Sequence, residues 1–497
     1  SLMGITPAGA KLFRGKTKKE AVELLLRHQL LLDSKPLKDY DSIQSPKPDT
    51  NLALGKTWVY DENHDPVINE KRKISLKNWI VSIMYNENAH SLMPKMFLFW
   101  CEFFQVELKR IPFPAKVFRH FEIIRTHSLG NFVDLLTEVI ADPGMIYYFK
   151  RVSPGKRKMF PYVADEVIDR FTCAADVRDT VSKEKARKLS RLLNKWHFIC
   201  DNASIHYPNK SLEIYAEENS AFLEAYFDRA GAREVLAELR QLLSTIVTLH
   251  TAVNLTTRLY KFLLSKEVTE EALNKLIKPA AEAFMASKFD ITVWLRKFLL
   301  NDFFYQDSFK AKLEKSPIEF LFRLSRHVNI VRTGNDSLEN YAYWDWLRFT
   351  VNELGQQIPD DWGNADKNAS SELGLSVEAL HKRSTFIQRL FENGFTFKDK
   401  HIVVDASRIL RDFQTPADPH ELINEIVQRL YEGEGNPKQP NYLLEAFLLD
   451  PGQNPSSWTV LWEKAFVHRN VLARQQVEAK LKRLYKHLLT QPEYHYY

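Results

Sequence analysis

The sequence predicts a mainly α-helical protein, a large multi-helix assembly with one small β-hairpin insertion, and three observations carry that expectation. Glycine is scarce, 16 of 497 residues, against 69 Lys+Arg and 63 Asp+Glu, a composition that favours helix over sheet. Apolar residues recur at helical spacing through most of the chain. Alternation of apolar and polar residues, the mark of a half-buried strand, is clearest at 197–215, HFICDNASIHYPNKSLEIY, on either side of Pro208-Asn209.

Taken in order, Lys18 to Leu30 reads as an amphipathic helix, and Lys35 to Asn69 as a polar, proline-spaced connector. Trp58-Val59-Tyr60 within it is a short strand or a clamp. Two apolar helices span Ser75 to Phe104, broken near Ser91 to Pro94. The stretch from Arg125 to Arg151 organises the rest. Leu129, Phe132, Val133, Leu136, Val139 and Ile140 make one apolar stripe of a helix from about Leu129 to Ala141, with Asp134, Thr137 and Glu138 opposite. Asp142-Pro143 stops this helix, because the proline ring disfavours the α conformation before it and has no N–H to donate. Gly144 relieves the turn, and Met145 to Phe149 form an apolar plug.

After a basic loop, Lys150 to Lys158, helices are expected at Val163 to Ala175 and Lys183 to Trp196. The hairpin follows, then a helix from Glu217 to Leu249 interrupted near Gly231. Further helices cover Thr251 to Leu264, Glu271 to Met285, Ile291 to Leu300, Pro317 to His327, Trp344 to Leu354 and Ser376 to Phe391. An apolar run, His401 to Val404, precedes a helical tail from Asp405 to Tyr497 that ends in a frayed Tyr494 to Tyr497. The expected division is a helical core, 10–383, with an insertion at 150–250 carrying the hairpin, and a C-terminal extension, 384–497, packed on it.

The net charge of +6 is spread along the chain, which argues for a solvated surface and against nucleic acid. Cys101, Cys173 and Cys200 are an odd, widely spaced set, read as free thiols in a reducing compartment. No apolar run approaches the roughly 20 residues of a membrane span. Ser1 to Gly15 lacks the apolar core of an export signal. The expected location is the cytoplasm, or the periplasm if such a signal has been removed.

Phosphate-loop, dinucleotide, zinc-protease, serine-hydrolase and Cys-x-x-Cys motifs are all absent. What remains is a set of short signatures: Gly130-Asn131-Phe132, Leu135-Leu136, Asp142-Pro143 and Met145; the runs Thr251 to Leu264 and Ser287 to Tyr305; Lys315-Ser316-Pro317-Ile318-Glu319; Leu354-Gly355-Gln356 with Pro359 and Trp362-Gly363; and Pro492-Glu493-Tyr494. Together they resemble a large bacterial family known only as domain of unknown function 1800, over most of the chain. The resemblance implies a helical fold and no stated activity.

In that family Phe99 to Phe104 would read Phe-Trp-His-Asn-His-Phe, a pair of imidazoles in an aromatic frame. This chain has Cys101, Glu102 and Phe103 there, so the frame stays and the polar centre changes. Cys101 and Glu102 are still ligand types for a metal. The family's acidic helix falls at Pro161 to Phe171 without its pattern. Its His-Asp-x-Gly-x-Lys run falls at His206, Tyr207, Pro208, Asn209 and Lys210, with only His206 in place and Lys210 one residue early.

Two further groups are notable. Arg119, His120, Arg125 and His127, with Lys109, Arg110 and Lys116, form a basic, aromatic-interleaved segment suited to an acidic partner, or simply a solvated helix face. Tyr341, Tyr343, Trp344 and Trp346 suit a stacking platform or a core. The leading expectation is a helical scaffold or binding module for a protein partner, with no cofactor and no preserved catalytic machinery. The alternative is a metal-assisted hydrolase in which Cys101, Glu102 and His206 hold a divalent cation, with Glu102, His206 and Lys210 as catalytic groups.

Overall fold

The computed structural model describes residues 12–27, 34–40, 47–61, 63–86, 90–152, 159–172, 183–201, 232–309, 312–328, 330, 337–358, 375–397, 400–402, 404–405, 409–410, 413–431 and 440–497. The protein is mainly α-helical, with one small antiparallel hairpin among the described residues. It divides into two compact units: Gly15–Phe309 with Gln357–Gly363, and Lys310–Gln356 with Ser1–Arg14 and Asn364–Tyr497. No helix among the described residues is long and apolar enough to cross a membrane.

The helices of the first unit are α1 (Lys18–Leu26), α2 (Pro66–Asn86), α3 (Met93–Phe103), α4 (Pro114–His127), α5 (Phe132–Ala141), α6 (Pro143–Val152) and α7 (Met159–Glu166, prolonged by a π turn to Phe171). They continue with α8 (Lys183–Asp201), α9 (Ala232–Ile246), α10 (Leu249–Leu263), α11 (Lys278–Ala286) and α12 (Ile291–Leu300). Every residue of α5 is buried except Asp134 and Glu138. The helix begins at Phe132, later than the apolar stripe suggested, because Asn131 is extended and its Oδ1 accepts from the Val133 N–H at 2.9 Å.

That cap is shared. Asn131 forms an antiparallel bridge with Asp290, the cap of α12: Phe132 N–H donates to the Phe289 carbonyl at 2.9 Å and Ile291 N–H to the Gly130 carbonyl at 2.9 Å. Asn131 Nδ2 adds a bond to the Lys288 carbonyl at 2.7 Å. Two helices far apart in sequence thus start from one paired corner, the Asn131–Lys288 bond alone joining residues 157 positions apart. Phe132 then enters an aromatic core, stacked at 5.6 Å on Trp100 and near Phe284 and Phe289. The Phe-Trp-x-x-Phe-Phe frame of α3 is therefore packing machinery.

As expected, Asp142-Pro143 ends α5. The apolar plug after it is helix α6, with Pro143 at its first position and Asp142 Oδ2 accepting from Met145 N–H at 3.0 Å. A Cβ on Gly144 would lie 2.8 Å from the Lys116 carbonyl oxygen, so α4 and α6 can meet only across glycine.

The hairpin expected at 197–215 is replaced, at 197–201, by the last turn of α8. The helical period through Leu189, Leu192, Leu193 and Trp196, all buried, carries past Trp196 and outweighs the local alternation. Residues 202–215 lie outside the described residues. The hairpin among the described residues is in the second unit: β1 (Phe395–Phe397) pairs with β2 (Lys400–Ile402), Phe395 opposite Ile402.

The second unit contains α13 (Pro317–His327), α14 (Ser337–Glu353), α15 (Val377–Glu392), α16 (Pro419–Tyr431), α17 (Pro440–Leu443, with a π turn to Leu448), α18 (Pro455–Trp462, with a π turn to Val467) and α19 (Val471–Leu489). The division expected at 383/384 falls inside unbroken α15. Three of the short signatures meet here. Ser316 and Glu319 cap α13 reciprocally, and Gln356 Oε1 accepts from Ile318 N–H at 3.0 Å. Lys315, 1% exposed, donates its ammonium to the carbonyls of Tyr494 and Tyr496, while its N–H donates to the His495 carbonyl at 2.9 Å. Tyr497 N–H returns a bond to the Leu313 carbonyl at 2.8 Å. The tail read as frayed is clasped, with Tyr494 and His495 both 0% exposed.

Candidate functional site

The residues singled out in the sequence do not assemble into one site among those described. Cys101 is buried on α3, and burial pushes its thiol well above the ordinary value, leaving it a protonated core group. Glu102 is half-buried on the same helix. Its charge opposes the effect of burial on Lys95, whose ammonium is brought down to about 7 and lies 4.4 Å over the Phe262 ring. His206 and Lys210 lie outside the described residues. No three His, Cys, Asp or Glu side chains gather at metal-binding distance among the described residues. Tyr341, Tyr343, Trp344 and Trp346 are all buried, Trp346 within 6.3 Å of Phe386, so they serve as core.

A polar cluster does form around the basic segment of α4. Arg119 and His120 turn inward and meet Asp142, which is 0% exposed at the α5–α6 junction. Arg119 Nε lies 3.7 Å from Asp142 Oδ1, and His120 Nδ1 lies 3.5 Å from Oδ2. His120 Nε2 sits 3.1 Å from the Phe104 carbonyl oxygen, which can only accept, so Nε2 carries a proton and Nδ1 faces the carboxylate. Both distances to Asp142 exceed a hydrogen bond, and His120 Nδ1 and Asp142 Oδ1 have no hydrogen-bond partner. Arg125, expected to face a partner or solvent, is 1% exposed and donates to both oxygens of Glu122, at 3.0 and 2.9 Å.

Beside this cluster, Arg119, Thr137, Ala141 and Pro143 line a cleft of about 370 Å³. Trp196 of α8 and Arg233, Ala237 and Arg240 of α9 complete the wall. Trp196 Nε1 donates to the Ala141 carbonyl at 2.7 Å, which fixes the indole against the end of α5. Two ion pairs stand at the lining: Arg240 with Asp134, and His127 Nε2 with Glu138 Oε1 at 3.0 Å. The polar face of α5 is thus turned to α9 and the cleft. Three guanidiniums surround a mostly apolar space, and both lining acids are already engaged by a basic side chain. Such a surface suits a ligand with an apolar body and an anionic end.

Arg119, His120 and His127 were visible in sequence as a basic segment. Arg233, Arg240 and the roles of Trp196 and Asp142 were not, because nothing local to α8 or α9 distinguishes a lining residue from a solvated one.

No curated protein and no solved structure matches the chain. A family profile described as "Protein of unknown function (DUF1800)" matches residues 3–496. With its signatures placed at the paired α5–α12 corner, the α5–α6 junction and the Lys315 clasp, the chain belongs to the DUF1800 family over essentially its whole length.

Proposed function

We propose that the chain is a binding module whose ligand is an organic anion with an apolar body, a carboxylate or phosphate ester, held in the cleft between α4, α5, α8 and α9. The observation that carries this reading is the ring of Arg119, Arg233 and Arg240 around an apolar space of about 370 Å³, within the range of small-molecule sites. The anionic end exchanges with Asp134 for Arg240, and the apolar body lies on Trp196 and Ala141. No observation among the described residues favours the metal-assisted hydrolase, which requires His206 to approach Glu102.

Isothermal titration with phenylacetate and phenyl phosphate tests this. The wild-type chain is expected to bind at least one of them, Arg240→Ala to weaken binding about tenfold, and Ala237→Trp to abolish it. Ala237 is exposed, so the indole fills the cleft without entering the core. Absence of binding in the wild type, or equal binding by Ala237→Trp, overturns the reading.

A further inference from the structure

The turn joining α18 to α19 carries side chains that no fold requirement explains. Val467, Val471 and Leu472 are 68%, 69% and 71% exposed, and Val460 on α18 is 48% exposed. Elsewhere among the described residues, large apolar side chains this exposed are scattered singly, as at Leu54 and Val377. Here they fall within one short turn, beside the partly exposed rings of Trp462 and Phe466, which stack at 4.1 Å.

The turn is built to hold its shape. His468 N–H closes the π turn on the Glu463 carbonyl at 3.0 Å, and Asn470 N–H bonds the Lys464 carbonyl at 2.9 Å. Asn470 Oδ1 caps α19 through Ala473 N–H at 2.9 Å. Arg469 between them sits at φ 53, a left-handed conformation that an arginine adopts only when its surroundings require it. The hydrogen bonds secure the backbone while the aliphatic side chains point out.

The charges around the turn are mostly positive. Lys464, His468, Arg469 and Arg474 are exposed, against Glu463 alone nearby. Lys464 and Arg469 have no ion pair among the described residues, although other exposed cations do, among them Lys382 with Glu378 and Lys275 with Glu271.

We propose that this tip docks the protein on an anionic lipid surface. Val467, Val471 and Leu472 would enter the boundary between headgroups and acyl chains, Trp462 would lie at that level, and Lys464, Arg469 and Arg474 would meet lipid phosphates and carboxylates. A projecting turn offers no groove to a folded partner, whereas a bilayer accepts a projection of any outline. Lys464 and Arg469, without an ion pair among the described residues, select an anionic leaflet. The attachment is peripheral, and it is independent of the cleft.

Co-sedimentation of the full chain with vesicles of 70% phosphatidylcholine and 30% phosphatidylserine tests this, with pure phosphatidylcholine vesicles alongside. The wild type is expected to partition onto the anionic vesicles at least tenfold more strongly than onto neutral ones. Val467→Asp with Leu472→Asp should lower that partition at least tenfold, and Lys464→Glu with Arg469→Glu should remove the preference for the anionic lipid. All four positions are exposed, and an unchanged circular dichroism melt verifies that the variants fold. The proposal is overturned if the wild type stays in the supernatant, or if the aspartate variant sediments as well as the wild type. It is also overturned if the tip instead drives concentration-dependent self-association that the aspartate variant abolishes without any vesicle binding.

Discussion

Each unit buries a histidine among cations, and the two arrangements differ in what compensates the charge. In the first unit His120 and Arg119 face Asp142, so both signs are present, although no side chain closes a hydrogen bond to the carboxylate. In the second, His495 lies near Arg383 and Lys315, and the nearest carboxylate to Arg383 is Glu314 at 3.8 Å. There the cations are held by backbone carbonyls and ring faces: Arg383 donates to the Lys315 carbonyl at 2.7 Å and lies 5.0 Å over Phe320. Burial lowers Arg383 to about 10, and burial with the neighbouring charges of Arg383 and Lys315 lowers His495 to about 3. A buried cation can be kept either by an opposite charge or by a cage of carbonyls and rings. The first cluster adjoins a cleft, and the second fastens a chain segment.

The sharpest way to break this comparison is to remove the carboxylate. Asp142→Ala removes the carboxylate that faces Arg119 and His120 and strips α6 of its cap, so denaturant unfolding should show a loss of about 3–5 kcal/mol. A loss below about 1 kcal/mol would show that Asp142 does not compensate those groups. Lys315→Met keeps the volume and deletes the ammonium, leaving the Tyr494 and Tyr496 carbonyls without their donor. A loss of about 2–3 kcal/mol is expected, with faster amide exchange confined mainly to the tail; unchanged exchange there would dissolve the clasp.

The smallest effect is a pH dependence. An unfolded histidine binds a proton below about 6.5, and folded His495 does not until about 3, so its contribution is complete above 6.5 and is lost as pH falls. The slope is about 1.4 kcal/mol per pH unit, or roughly 2 kcal/mol by pH 5. His495→Phe, which keeps a ring against Phe320, should flatten the curve between pH 6.5 and 5. If wild type and variant run parallel, His495 is not held neutral.

What was legible in the sequence was local. The apolar stripe and the Asp142-Pro143 stop located α5 to within three residues of its start, and the helix expected from Pro317 to His327 is α13, because period and stop signals act over one or two turns. What was not legible depends on residues far apart. Arg119 and His120 meet an aspartate more than twenty positions later, and Lys315 holds a tail 179 residues on. The sequence of α9 shows only a helix with an apolar stripe, yet its Arg240 pairs with Asp134 beside the cleft. Cys101 drew notice as a ligand type, and it is the aromatic packing of α3 that explains it.

The corner shared by α5 and α12 also bears on how the protein is made. Asn131 forms its bond to the Lys288 carbonyl only once the chain has grown past residue 288, and Phe132 waits likewise for Phe289. On a ribosome adding about 5–20 residues per second, this corner of α5 therefore stays unpaired for on the order of ten seconds, although Phe132 already has Trp100 to stack on. Contacts so distant in sequence slow folding. The corner that starts α5 is thus completed late, and translational pausing before residue 288 would prolong that interval.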